Sequence, residues 1–142
     1  MIDFIDQLKQ DMIDVFTSRT DSYKDTLVKK AYETLPKGKF PKATIEQLND
    51  SEVLTRTTNQ GEQTTLLSYQ LVFYSRDTEE YDYTESAKFM ADIVEQYLMN
   101  KYPLHRLGSK VVKPYISDST VMTCTTRYEC VYDKETNLIY KN

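Results

Sequence analysis

The stretch that most constrains this chain is Thr120–Asp133, where residue character alternates at every step. Met122, Cys124, Thr126, Tyr128, Cys130 and Tyr132 fall on one face of an extended strand, and Thr123, Thr125, Arg127 and Glu129 on the other. A period of two over that length fits a β-strand with one buried face and cannot be satisfied by a helix. The run Leu66–Tyr74 repeats the signal, with Leu67, Tyr69, Leu71 and Phe73 sharing a face. The chain is therefore committed to a sheet.

Two other segments carry the helical period. Over residues 2–16, Phe4, Ile5, Leu8, Met12, Val15 and Phe16 gather on one side of a helical wheel, with Asp3, Asp6, Asp11 and Asp14 expected on a solvated opposite face. Asp82 and Glu85 have capping-box spacing ahead of a helix expected over 82–102 and stopped by Tyr102-Pro103. Its stripe of Phe89, Met90, Ile93, Val94, Tyr97 and Leu98 reads as core packed on the sheet.

Between these elements the signals are weaker. Residues 20–35 fit helix and strand equally, before Pro36-Lys37-Gly38-Lys39-Phe40-Pro41 punctuates the chain. A strand from Ala43 is followed by a polar hairpin around Thr55–Thr65 with Asn59-Gln60-Gly61 near its tip. Lys110–Ile116, a turn at Ser117-Asp118-Ser119 and a closing strand at Leu138-Ile139-Tyr140 complete the pattern. Residues 1–142 show no linker and no internal repeat. The expected fold is one α+β domain, a mostly antiparallel β-sheet packed against an N-terminal helix and a central helix.

At 142 residues and 39% hydrophobic content, such a domain can build its core without disulfide or metal staples. Cys124 and Cys130 lie about 20 Å apart along an extended strand at about 3.3 Å per residue, too far to bridge each other. Both fall on the face assigned to the core and are expected to stay reduced. No apolar run approaches the roughly 20 residues of a membrane-spanning helix. The opening Met-Ile-Asp-Phe-Ile-Asp places acids where a secretory signal carries bases, so a cytosolic site of synthesis is expected. With 18 basic against 22 acidic residues, net charge −4, specific nucleic-acid binding is not expected.

Chemistry-bearing motifs are sparse. The sole histidine, His105, follows the second helix with no set of metal ligands around it, and its pairing with either thiol is disfavoured by their burial. Phosphate-loop, dinucleotide, zinc-protease and EF-hand patterns are missing from the sequence. No catalytic residue, metal site or cofactor is expected. Charge, however, comes in blocks: acid on the first helix, base from Lys29 to Lys42 (five lysines against Glu33), acid again from Asp77 to Glu85. Complementary blocks suit head-to-tail contacts in a homo-oligomer. The interface candidates are Lys37, Lys39 and Lys42, the hairpin residues Thr55, Arg56, Thr57, Gln60 and Glu62, and Glu79, Glu80 and Asp82.

The order of these pieces resembles the tail terminator (tail completion) proteins of long-tailed bacteriophages and phage-derived tail machines. The resemblance spans nearly the whole chain and is one of pattern. It rests on the strand opening Phe40-Pro41-Lys42-Ala43-Thr44-Ile45, the apolar strand Tyr69–Tyr74, the helix Asp82–Tyr102 and the alternating strand Thr120–Asp133; Phe16–Phe40 matches loosely and Leu138–Tyr140 lies beyond the pattern. It implies a structural protein of the virion neck, assembled in the bacterial cytoplasm. Such a protein forms a ring, commonly of six, that caps the head-proximal end of the tail tube and meets the head connector or stopper. Another neck or baseplate component, or a small-ligand-binding α+β domain, are the alternatives.

Overall fold

The computed structural model describes residues 4–33, 40–48, 55–57, 63–76, 82–116, 118–133 and 138–140. In chain order these form helix α1 (Phe4–Thr17), a single 3-10 turn (Ser22–Asp25), strands β1 (Leu27–Lys30), β2 (Lys42–Gln47), β3 (Thr55–Thr57) and β4 (Gln63–Arg76), and helix α2 (Tyr83–Lys101). Strands β5 (His105–Arg106), β6 (Val111–Tyr115), β7 (Asp118–Asp133) and β8 (Leu138–Tyr140) follow.

The two alternating runs find each other. β4 and β7 pair antiparallel without a break from Thr64 opposite Asp133 to Arg76 opposite Val121. This ribbon is the spine of an eight-stranded sheet. The outer edge of β4 takes β3 at Gln63–Thr65 and β2 at Tyr69–Tyr74, and β2 in turn pairs parallel with β1. The outer edge of β7 is shared by β6 at Met122–Thr125, β5 at Tyr128–Glu129 and β8 at Val131–Asp133. The fold is the expected α+β arrangement, antiparallel but for the β1–β2 pair.

Both helices lie on one face of the sheet. Register stacks Leu67 on Cys130, Tyr69 on Tyr128, Leu71 on Thr126 and Phe73 on Cys124, all buried on that side. Above them pack Leu8, Met12 and Phe16 of α1 and Met90, Val94 and Leu98 of α2, while Ala87 and Ala91 let α2 approach closely. Each large apolar side chain removed from water contributes about 1.5–3 kcal/mol, so this single layer of contacts accounts for the fold.

Several expectations are corrected. Asp11 is not solvated: it is 5% exposed, taking Lys101 Nζ at 2.8 Å and the Tyr102 hydroxyl at 2.5 Å. Its spacing of three from Leu8 and four from Val15 puts it at the edge of the apolar stripe, where α2 supplies its partners. The α2 stripe is narrower than expected, since Met90, Val94 and Leu98 are buried while Phe89 and Tyr97 stay exposed at its margins. Phe89 packs instead on Tyr23 at 5.1 Å and under the Arg19 guanidinium at 4.9 Å. Of residues 20–35, the described 20–33 hold the 3-10 turn, capped by the Asp21 side chain on Tyr23 N–H, and β1, with Val28 facing the core. β7 begins two residues before the expected Thr120, with Tyr115 opposite Asp118.

Candidate functional site

Because α1 and α2 share one side, the other face of the sheet is covered by no helix among the described residues. Register places on it Lys42 and Thr44 of β2, Gln70, Val72, Tyr74 and Arg76 of β4, Thr123, Thr125 and Arg127 of β7, and Val111 and Lys113 of β6. A strand in a two-layer domain carries its second alternation set here, and a set rich in Thr, Val and cations is suited to contact another surface.

At one end of this face aromatic rings and cations interleave. Lys42 Nζ lies 4.5 Å from the Phe40 ring centre and 5.8 Å from that of Tyr74, and the Arg76 guanidinium lies 4.4 Å from Phe40. Tyr74 meets Tyr115 edge to face at 5.5 Å. Desolvation, then repulsion from Arg76, holds the Lys42 ammonium below its ordinary pKa, and burial pushes the Tyr74 phenol up. Cations stacked on rings are held in place while keeping outward charge.

Toward the middle, Gln70, Val111, Lys113, Thr125 and Arg127 line a shallow depression of about 550 Å³, rimmed by Leu107, Gly108 and Ser109. Arg127 Nε donates to Gln70 Oε1 at 2.9 Å and Thr123 Oγ1 to the Lys113 carbonyl at 2.9 Å, so its floor is built rather than loose. The rim turns through Gly108 at φ +68°, a conformation that a side chain would strain although nothing crowds the site.

The polar cluster on the helix side is structural in character. Both oxygens of Glu95 are engaged, by the Tyr128 hydroxyl at 3.0 Å and by Arg106 and Lys110 at 3.3 Å, and Lys110 also pairs with Asp92. Together they fasten the β5–β6 connection onto α2. His105 sits opposite Glu129 on the bare face, whereas Cys124 and Cys130 lie in the helix-side core, so sheet and backbone separate the imidazole from both thiols. Burial raises both thiol pKa values, Cys130 to about 12. Among the described residues no three His, Cys, Asp or Glu gather to hold a metal, and no helix is long and apolar enough to cross a membrane.

The sequence-derived interface candidates do not form one patch. Thr55, Arg56 and Thr57 are β3, paired with Thr65, Thr64 and Gln63 in the expected hairpin. Lys42 is opposite Tyr74, ten positions farther along β4 and so about 33 Å away at about 3.3 Å per residue. Asp82 caps α2, accepting from Thr84 N–H at 2.7 Å. Lys37, Lys39, Gln60, Glu62, Glu79 and Glu80 lie outside the described residues, as does the expected hairpin tip. Charge blocks also meet within the chain, since Lys30 pairs with Asp6 and Lys9 with Glu33 at 3.0 Å. Missed from the sequence were Phe40, Tyr74, Arg76 and Tyr115; the signal for two of them was the even-numbered set of β4, passed over for its apolar odd-numbered neighbours. No family model matches the chain, and no curated protein matches it.

Proposed function

We propose that this chain is a structural ring subunit of a long-tailed phage or phage-derived tail particle, of the tail terminator kind. In that role it performs no catalysis. A hexameric ring of such subunits sits in the neck of the virion after assembly in the bacterial cytoplasm. One side ends polymerisation of the tail tube protein, and the other meets the head connector or stopper.

The observation that supports this reading most is the two-ended spine. The β4–β7 ribbon runs the length of the described sheet, with the β3–β4 hairpin at one end and the Lys42–Phe40–Tyr74–Tyr115 cluster at the other. β3 lies against β4 and β8 against β7, so this end extends on strand pairing rather than on helix packing. A subunit that meets a tube below and a connector above needs two such distinct ends on a rigid body. An edge-pairing hairpin suits a tube end built of β-structure, because main-chain hydrogen bonds supply contact without an apolar patch.

Size-exclusion chromatography with multi-angle scattering tests the ring directly. The expected mass is about six times the 16.7 kDa subunit. Added to growing tail tubes, the ring should stop elongation. A monomer that binds a small molecule in the depression at Arg127 would overturn the reading in favour of a ligand-binding domain. A ring that leaves tubes growing would favour another neck or baseplate component.

A further inference from the structure

Two broad surfaces lie back to back in this molecule, and their charges differ in sign. The bare sheet face carries Lys29, Lys42, Arg76, Lys113 and Arg127, with the carboxylates Glu46 and Glu129 beside them. On the opposite layer, built from segments 4–25 and 82–101, Asp6, Asp11, Asp21, Asp92 and Glu95 pair with cations of this chain, which leaves the exposed carboxylates Asp14, Asp25, Asp82 and Glu85 against Lys24 and Lys88. Each surface also exposes large apolar groups: Val111 and Tyr115 on the sheet side, Phe89, Tyr97 and Met99 on the helix side. Placed sheet to sheet, two copies would set cation against cation; placed helix to helix, they would set the carboxylates left over from those ion pairs, Asp14 and Glu85 among them, against their own kind. Face to layer, the charges are complementary and the apolar groups meet.

We propose that the bare sheet face of one subunit docks on the α1–α2 layer of a second copy of this chain. The occupant of the sheet face is thus the subunit itself. Lys113 and Arg127 lie toward Asp14 and Glu85 of the neighbour, and Val111 and Tyr115 against the exposed apolar margin of its α2. Since the two surfaces differ, the contact is heterologous and repeats from subunit to subunit, closing into a ring when the rotation closes. The pairing rests on the ring reading for that closure alone.

Paired charge reversal tests it. Lys113→Glu with Arg127→Glu makes the sheet face acidic; Asp14→Lys with Glu85→Lys makes the helix layer basic. All four side chains are exposed, so both variants should keep the wild-type circular dichroism. By sedimentation, wild type should assemble beyond two subunits, and each variant alone should associate more than about tenfold more weakly. Mixed one to one, they should recover higher assembly, because each reversed surface now meets its complement on the other variant. Wild type that stays monomeric, a variant that assembles at wild-type strength, or a mixture that halts at a heterodimer would overturn the proposal. Assembly by this pairing that leaves tube growth unchecked would overturn the terminator reading and leave the contact standing.

Discussion

Asp11 joins the two helices through a single carboxylate. Removing it by Asp11→Ala leaves the half-buried Tyr102 hydroxyl without its acceptor, while the more exposed Lys101 can turn to water. The expected cost is about 1–3 kcal/mol in urea denaturation. Tyr102 gives the same contact a pH dependence. Burial first, and the bond to Asp11 second, push its phenol up to about 12. A phenol whose folded pKa exceeds its unfolded value of about 10 contributes stability that is intact below that value and lost as pH climbs to about 12. Tyr102→Phe should therefore flatten part of the stability decline across that window; an unchanged slope would separate the phenol from it. The thiols behave differently. Buried and held protonated, Cys124 and Cys130 should react with a thiol reagent only as fast as the protein opens, and Cys124→Ala should cost about 1–2 kcal/mol through a small cavity. Rapid labelling of the native protein would contradict that burial.

At the scale of elements, the strands with strict alternation were legible and the rest depended on what sits beside them. Thr120–Asp133 and Leu66–Tyr74 declare themselves because one face must be apolar and the other need not be. β1 is only four residues long, and its strand character comes from pairing with β2 rather than from its own composition. Asp11 and Phe89 were misplaced for one reason: a wheel gives an angle, but the neighbouring element decides how wide the buried arc is. The candidate surface was half legible, because Lys42 and the hairpin stand out as polar runs whereas the Phe40–Tyr74–Tyr115 cluster joins residues from three separated segments. The hairpin offers the clearest element-scale test. Replacing residues 55–65 with a tight Asn-Gly turn should leave the thermal midpoint within about 4 °C, since that stretch contains no apolar residue. Under the proposed terminator role tube capping should be lost, and its persistence would remove the hairpin as the contact.

For the whole molecule, the expectation that acid and base blocks meet between subunits has to share those charges with contacts inside one chain. Asp6–Lys30 and Lys9–Glu33 already join α1 to the β1 turn, so among the described lysines of the basic run Lys29 and Lys42, on the sheet face, are the ones left for a partner. Sequence shows which charges cluster along the chain; only the fold shows which ones have been used. The border of β7 has its own consequence. Because β6, β5 and β8 tile that border instead of one continuous strand, each tile can lift while its neighbours stay seated, and the seam they share with β7 has no single place from which to unzip. Damage or exchange at one shingle is confined to the two rungs of β5, the three of β8 or the five of β6, and leaves the β4–β7 pairing beneath it in register.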